Sequence, residues 1–179
     1  MKIIIAILLI LSCCTGTTKS KETFVTAHGI VVNTQGNPIS INDIEIATET
    51  LSVCLEERFP EQYNRKDLFL SYIGTEVYVE KNYFECFVKL SDDTEPTTTT
   101  CAGLYTEKSG GRNEIKISHD DCIGSTSFVH ELLHLVEDRF DNKISYGHDD
   151  KRFFGKNPGT LEYDVNHYLI KMNCPICIE

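Results

Sequence analysis

The chain has 179 residues, with 17 Lys+Arg against 27 Asp+Glu, and its formal net charge is −10. This length is that of one domain. The acidic balance and the lack of a basic cluster in the sequence argue against nucleic-acid binding, because binding to phosphates depends on clustered Lys and Arg. With 41% hydrophobic and 25% charged residues, the composition is typical of a globular domain and argues against intrinsic disorder.

The first twelve residues have the pattern of an export signal. Lys2 is followed by nine apolar residues, 3–11, and then by Ser12-Cys13-Cys14. An apolar run this short favours translocation over membrane spanning, which takes about 20 residues. The segment Ile10-Leu11-Ser12-Cys13 resembles a bacterial lipobox, and the resemblance implies that Cys13 is lipidated and becomes the mature N-terminus. Lipidation at Cys14 and plain secretion are the alternatives.

After the signal, the sequence predicts a polar tether at residues 13–23 and one domain at residues 24–179. Ser40 and Asp43 have the spacing of a helix capping box, and the helix behind them is expected to end at Pro60. The other predicted elements are a strand at 24–33, strands at 68–73, 76–80 and 83–90, a polar loop at 91–100, strands at 101–106 and 114–118, and helices at 125–140 and 160–172. This order predicts an α+β domain with a small, mainly antiparallel sheet.

The second predicted helix carries the motif HExxH, as His130-Glu131-Leu132-Leu133-His134. On a helix, two His side chains four residues apart are separated by about 40° and can bind one Zn²⁺ together. Glu131 lies one step around the helix, where it can reach a water without ligating the metal. Apolar residues surround the motif on nearly all sides, which indicates a buried helix rather than one with its His and Glu in solvent. Because buried His and Glu are costly without a strong partner, the pattern favours a metal site.

A catalytic zinc ion needs a third protein ligand and an open position for water. In metzincins the motif continues with a Gly and a further His, but here those positions are Glu137 and Phe140, which excludes that family. The next His in the sequence after the motif is His148, preceded by Gly147 and followed by Phe153 and Phe154.

Residues 126–154, with HExxH, then the Gly-His pair and then Phe, resemble SprT-like zinc metalloproteases. The resemblance implies a compact zincin fold, zinc-dependent peptidase activity and His148 as the third ligand. Glu162 is the competing ligand, since in gluzincins a Glu on the next helix completes the site. Asp149 and Asp164 are further alternatives. The strand at 101–105 resembles the edge strand that lines the cleft of zincin proteases; a plain core or edge strand is the alternative.

Eight cysteines are present, and six remain beyond Cys13 and Cys14. Outside the cytoplasm cysteines tend to pair, so we expect three disulfides in one of 15 connectivities. The segment Cys174-Pro175-Ile176-Cys177 is interpreted as part of this set. A zinc knuckle would need a second close pair, and a redox site would need the pair at the start of a helix.

The sequence therefore predicts an exported zinc endopeptidase, anchored by lipid at Cys13, that acts on proteins or peptides. Zn²⁺ is expected on His130, His134 and His148, with Glu131 as the general base that takes a proton from water. One alternative is an inactive zinc-binding surface lipoprotein that recruits a partner. Another is a disulfide-stabilised adhesin in which HExxH is accidental. The oligomeric state is left open.

Overall fold

A computed structural model describes residues 21–88, 95, 97–119, 126–141, 148 and 150–171. The predicted signal at 1–12 and the proposed lipidation site Cys13 lie outside these residues, as does most of the tether. The strands are β1 (Thr23–Val25), β2 (Val31–Asn33), β3 (Glu76–Glu80), β4 (Phe84–Val88), β5 (Thr97–Cys101), β6 (Gly103–Lys108) and β7 (Arg112–Ser118). The helices are α1 (Ile41–Arg58), α2 (Arg65–Tyr72), α3 (Thr126–Asp141) and α4 (Leu161–Lys171). In the described part of the chain, no helix is long and apolar enough to span a bilayer.

The larger sheet has five strands in the order β1-β2-β3-β7-β6, and β4 and β5 form a separate two-stranded sheet. The α+β class is confirmed. The prediction of a mainly antiparallel sheet is wrong for the larger sheet, which is mixed. Its outer pairs are antiparallel, whereas β3 is parallel to both β2 and β7. The physical reason is the connection between β2 and β3, since α1 and α2 supply the long crossover that a parallel pair requires.

Helix α1 forms where the capping box predicts it. The Ser40 side chain accepts a hydrogen bond from the Asp43 N–H at 3.2 Å, and the helix ends at Arg58, two residues before Pro60. The side chains buried along one face are Ile44, Ala47, Thr48, Leu51, Ser52 and Leu55. This spacing is that of the inner face of a helix, so α1 packs into the core that also receives α3.

Three predicted elements are wrong in type or extent. In the run 68–73, predicted as a strand, residues 68–72 belong to helix α2, which Asn64 caps by accepting a hydrogen bond from the Asp67 N–H. The single strand predicted at 24–33 is the antiparallel pair β1 and β2, turned at Gly29, whose φ is +77°. The end of the loop predicted at 91–100 is strand β5, which pairs with β4. Strand β3 and the pair β6–β7 lie where the sequence predicts strands.

Cys86 in β4 and Cys101 at the end of β5 form a disulfide. Because these two pair with each other, neither is the partner of Cys54, whose thiol is free within the described part of the chain. Burial raises the pKa of the Cys54 thiol. Of the six cysteines predicted to pair, two are therefore joined in a described disulfide, and Cys54 has no disulfide partner among the described residues. Cys122, Cys174 and Cys177 lie outside the described residues.

We expect peptide mapping to reproduce this pairing. If unreduced protein is denatured and alkylated, Cys86 and Cys101 should be recovered as one disulfide-linked pair. Cys54 should carry the label, because its thiol has no disulfide partner in the part of the chain that the structure describes. The Cys54→Ser variant should lose that label and keep the linked pair. A peptide in which Cys54 is joined to another cysteine would contradict the pairing.

Candidate metal centre

Helix α3 carries the HExxH motif into the interior of the domain. Phe128, Val129, Leu132, Leu133, Leu135 and Val136 are all fully buried. The helix is therefore packed on most of its circumference, as the sequence predicts. His130 and His134 lie on the same side of it, with ring centroids 5.0 Å apart. The spacing of the motif thus brings two imidazoles together at one position inside the fold.

His148 brings a third imidazole to the same position. Its Nε2 atom lies 3.0 Å from His130 Nε2, and one nitrogen from each of His130, His134 and His148 falls within 4.8 Å of the other two. His148 has a φ of +53°, in the left-handed region that few residues other than glycine adopt. Backbone strain of this kind is commonly kept at functional sites, where the surrounding structure compensates for it.

A buried aromatic ring supports the three imidazoles. Phe154 is 3% exposed, and its ring centroid lies 5.2 Å from that of His130, 4.7 Å from His134 and 4.8 Å from His148. The turn that holds Phe154 is fixed to the start of α4, since Leu161 N–H donates to the Arg152 carbonyl. The three His rings are therefore packed against the Phe154 ring, and this packing restricts their rotation.

Glu162, the competing third ligand in the sequence analysis, faces the opposite side of His130. Its Oε1 atom lies 2.9 Å from His130 Nδ1, and its Oε2 atom accepts a hydrogen bond from the Gly155 N–H at 3.0 Å. If His130 donates its Nδ1–H to this carboxylate, its Nε2 atom carries the free lone pair. A carboxylate behind a ligating imidazole is a common way to orient a metal ligand. Glu162 is thus placed to orient His130 and does not lie among the three clustered nitrogens.

The two aspartates considered as ligands are not part of the described cluster. Asp164 forms an ion pair with Arg58, which joins the start of α4 to the end of α1. Asp149 lies outside the described residues. Of the candidates raised from the sequence, the structure brings together only His130, His134 and His148 among the residues it describes.

Glu137, which stands where metzincins have a Gly, is a further polar neighbour of the motif histidines. It is 4% exposed, and its Oε2 atom lies 3.8 Å from His134 Nδ1. Its position three residues after His134, on the same side of the helix, is the signal that would have indicated it. Glu137 and Glu162 therefore each lie behind one His of the motif.

Glu131 is buried between α3 and β6, and it is 6% exposed. Its carboxylate accepts a hydrogen bond from the backbone N–H of Tyr105. Burial raises the pKa of Glu131 to about 7, although the nearby His130 and the Tyr105 N–H act in the opposite direction. The side chain is therefore held by a backbone donor.

Strand β6 is an edge of the larger sheet in the described residues. It pairs with β7 on one side, and the Ser118 N–H donates to the Ala102 carbonyl, so the N–H groups of Gly103 and Tyr105 alternate to the other side. This free side faces α3, since Tyr105 N–H reaches Glu131. The predicted strand at 101–105 is divided at Ala102, because Cys101 ends β5 and Gly103 begins β6.

The environment holds two of the three imidazoles neutral. Burial, with the neighbouring His130, lowers the pKa of His134 to about 3 and that of His148 to about 4. Burial alone would lower the pKa of His130, but the hydrogen bond to Glu162 and the charges of Glu131 and Glu162 raise it above its ordinary value. Neutral imidazoles are the form that ligates metals.

The donor set fits a divalent cation that prefers nitrogen. Zinc bonds of about 2.0–2.1 Å in a tetrahedral site separate the nitrogen ligands by about 3.3 Å. The 3.0 Å between the Nε2 atoms of His130 and His148 is close to that separation. The carboxylates of Glu131, Glu162 and Glu137 also create a negative potential at His130, which favours a cation there.

Comparison with known proteins identifies no relative from which a role could be inferred. No protein-family model, no curated protein and no solved structure matches this chain. A functional assignment therefore depends on the arrangement of its own residues: three converging imidazoles, a buried glutamate on the same helix and a sheet edge beside them.

Proposed function

We propose that this protein is a zinc-dependent endopeptidase with a zincin-like α+β domain. The observation that carries the proposal is the convergence of one nitrogen each from His130, His134 and His148 within 4.8 Å, on and beside a buried helix that also bears Glu131. Three protein ligands with room for a fourth are the pattern of a catalytic rather than a structural zinc site. An accidental HExxH would not require a distant third His at the same position.

The three His side chains would hold the ion, and His130 would be fixed in orientation by Glu162. When bound, a zinc ion supplies a Lewis acid that polarises a scissile carbonyl and lowers the pKa of water. Imidazole ligands also suit copper, iron and nickel, so the choice of zinc depends on the predominance of zinc at HExxH sites with an added third ligand.

In this proposal Glu131 is the general base. It takes a proton from the attacking water and passes it to the leaving amine. Its backbone hydrogen bond from Tyr105 holds the carboxylate at a fixed place on α3. A positioned carboxylate of this kind typically contributes about 10²–10⁴-fold to rate.

The free side of β6 supports a peptide as the substrate. An extended peptide can add to a sheet edge through main-chain hydrogen bonds, and β6 is an edge strand of the larger sheet in the described residues. The Gly103 N–H lies on its unpaired side next to Glu131, whereas the Tyr105 N–H on that side is bonded to Glu131. Export, lipid attachment at Cys13 and substrates outside the cytoplasm are parts of the same proposal, supported by the sequence of residues 1–14.

The first test concerns the third ligand. His148→Ala should weaken zinc binding by more than the roughly 100-fold that loss of an outer residue causes, because it removes one of three ligands. Competition with a chelator of known affinity measures the change, and zinc content per chain should be one for the unaltered protein. If His148→Ala binds zinc as tightly as the unaltered protein, His148 is not a ligand.

The second test separates binding from chemistry. Glu131→Gln should keep zinc and fold, because the side chain is assigned to the water and not to the ion, while peptide hydrolysis falls by about 10²–10⁴-fold. Zinc content, circular dichroism and hydrolysis of a quenched fluorescent peptide are measured on the same preparation. Hydrolysis at an unchanged rate would contradict the assigned base. A zinc-loaded but inactive unaltered protein would instead support the partner-recruiting alternative.

The third test concerns Glu162. Glu162→Gln should weaken zinc binding by about 10–100-fold, because the neutral amide orients His130 less strongly than the carboxylate does. Asp164→Asn is the matched control, since Asp164 lies on the same turn of α4 but pairs with Arg58. Its zinc affinity should be unchanged. A loss in Glu162→Gln as large as that in His148→Ala would make Glu162 a ligand itself.

A further inference from the structure

We infer that Gly103, the first residue of β6, is a positioning residue for Glu131. The absence of a side chain at Gly103 leaves the space in which the Glu131 carboxylate lies against β6. This inference concerns the packing of two named residues, and its catalytic consequence depends on the proposed peptidase function.

The distances show how completely Glu131 fills that space. A Cβ atom added at Gly103 would lie 2.4 Å from Glu131 Oε1, 2.9 Å from Glu131 Cγ and 3.0 Å from Glu131 Cδ. These three atoms include most of the glutamate side chain, so rotation of its last bond alone would not remove the overlap. Because Glu131 is 6% exposed, the side chain cannot move freely into solvent either.

The backbone conformation at position 103 does not require a glycine. Gly103 does not have a positive φ. By contrast, Gly110 and Gly111 in the turn between β6 and β7 have φ values of +88° and +73°. Glycine within a strand weakens it and often marks a point where another group approaches closely. At Gly103 the approaching group is the Glu131 side chain.

The neighbouring contacts show why the approach has to be this close. Tyr105 lies two residues along β6, and its N–H donates to the Glu131 carboxylate. Its hydroxyl donates to Asp138 Oδ2 at 2.7 Å, which ties β6 to α3 two turns further along the helix. The strand and the helix are therefore held together at both levels. A side chain at position 103 would push the carboxylate away from the Tyr105 N–H that holds it.

A double-mutant cycle tests this packing without any assay of activity. In metal-free protein, Gly103→Ala should lower Tm by about 2–12 °C, because overpacking in a dense site strains its neighbours. In a Glu131→Ala background the same substitution should leave Tm unchanged, because the three overlapping atoms are gone. If Gly103→Ala alone does not fold, the double variant should fold.

Gly110→Ala is the control for a glycine whose role is conformational. No described atom lies within 4 Å of a Cβ added there, but its φ of +88° strains any side chain. It should lower Tm equally in both backgrounds. If Gly103→Ala also behaves in this way, or costs nothing in either background, or if the double variant fails to fold, the inference is wrong.

Activity supplies the second arm. Gly103→Ala should keep zinc at the level of the unaltered protein, and kcat should fall about 100-fold with KM unchanged, because a base displaced by about 1 Å costs that much. Gly110→Ala should keep its kcat. Normal kcat in Gly103→Ala would overturn the positioning role. If the unaltered protein hydrolyses no peptide while the cycle shows the coupling, the proposed function fails and the packing inference stands.

Discussion

Helix α3 places four ionisable side chains among buried apolar residues, and each of them needs a partner there. His130, Glu131, His134 and Glu137 project from a helix whose other buried side chains, Ser127 apart, are hydrophobic. Leaving a polar group unpartnered in such a place costs on the order of 1–3 kcal/mol, and an unpaired charge costs more. The other residues of the site supply partners for these side chains, and the partners come from different parts of the chain.

Glu162 on α4 engages His130, Tyr105 on β6 engages Glu131, and His148 approaches from the segment after α3. The partners themselves are fixed by other contacts, since Glu162 also accepts from Gly155 and the α4 turn is tied to α1 through Arg58. His134 Nδ1 is buried with no hydrogen-bond partner in the described part of the chain. A metal ion bound to the opposite ring nitrogen would offset part of the free-energy cost of burying this imidazole.

The sequence predicts the parts of this site that depend on local spacing. Helix α3 and the common side of His130 and His134 follow from helical periodicity, and the α+β class follows from element order. The contact of Glu162 with His130 could not be predicted in this way, because the spacing of residues does not indicate which ring nitrogen a carboxylate faces. The run 68–73 is ambiguous for a related reason, because a short apolar stretch suits a buried strand and a helix equally. The Asn64 cap favours the helix, and residues 68–72 lie at the end of α2. The pairing of Thr97–Cys101 with β4 depends on long-range contacts, which the composition of this segment does not indicate.

The three glutamates around the histidines differ in their nearest partner, and this difference favours separate roles for them. Glu162 faces an imidazole N–H and a backbone N–H, which together hold the pKa of its carboxylate below its ordinary value despite burial. It suits a fixed negative charge behind a ligand. Glu137 lies behind the other motif His at a longer distance of 3.8 Å. Among the described residues, the Glu131 carboxylate accepts from one backbone donor, the Tyr105 N–H, and it lies against Gly103, which has no side chain. Carboxylates whose environments push their protonation in different directions are the usual sign of divided acid–base roles. On that reasoning Glu131, whose pKa burial raises to about 7, is better suited to exchange a proton in the proposed reaction than Glu162, whose pKa is held low.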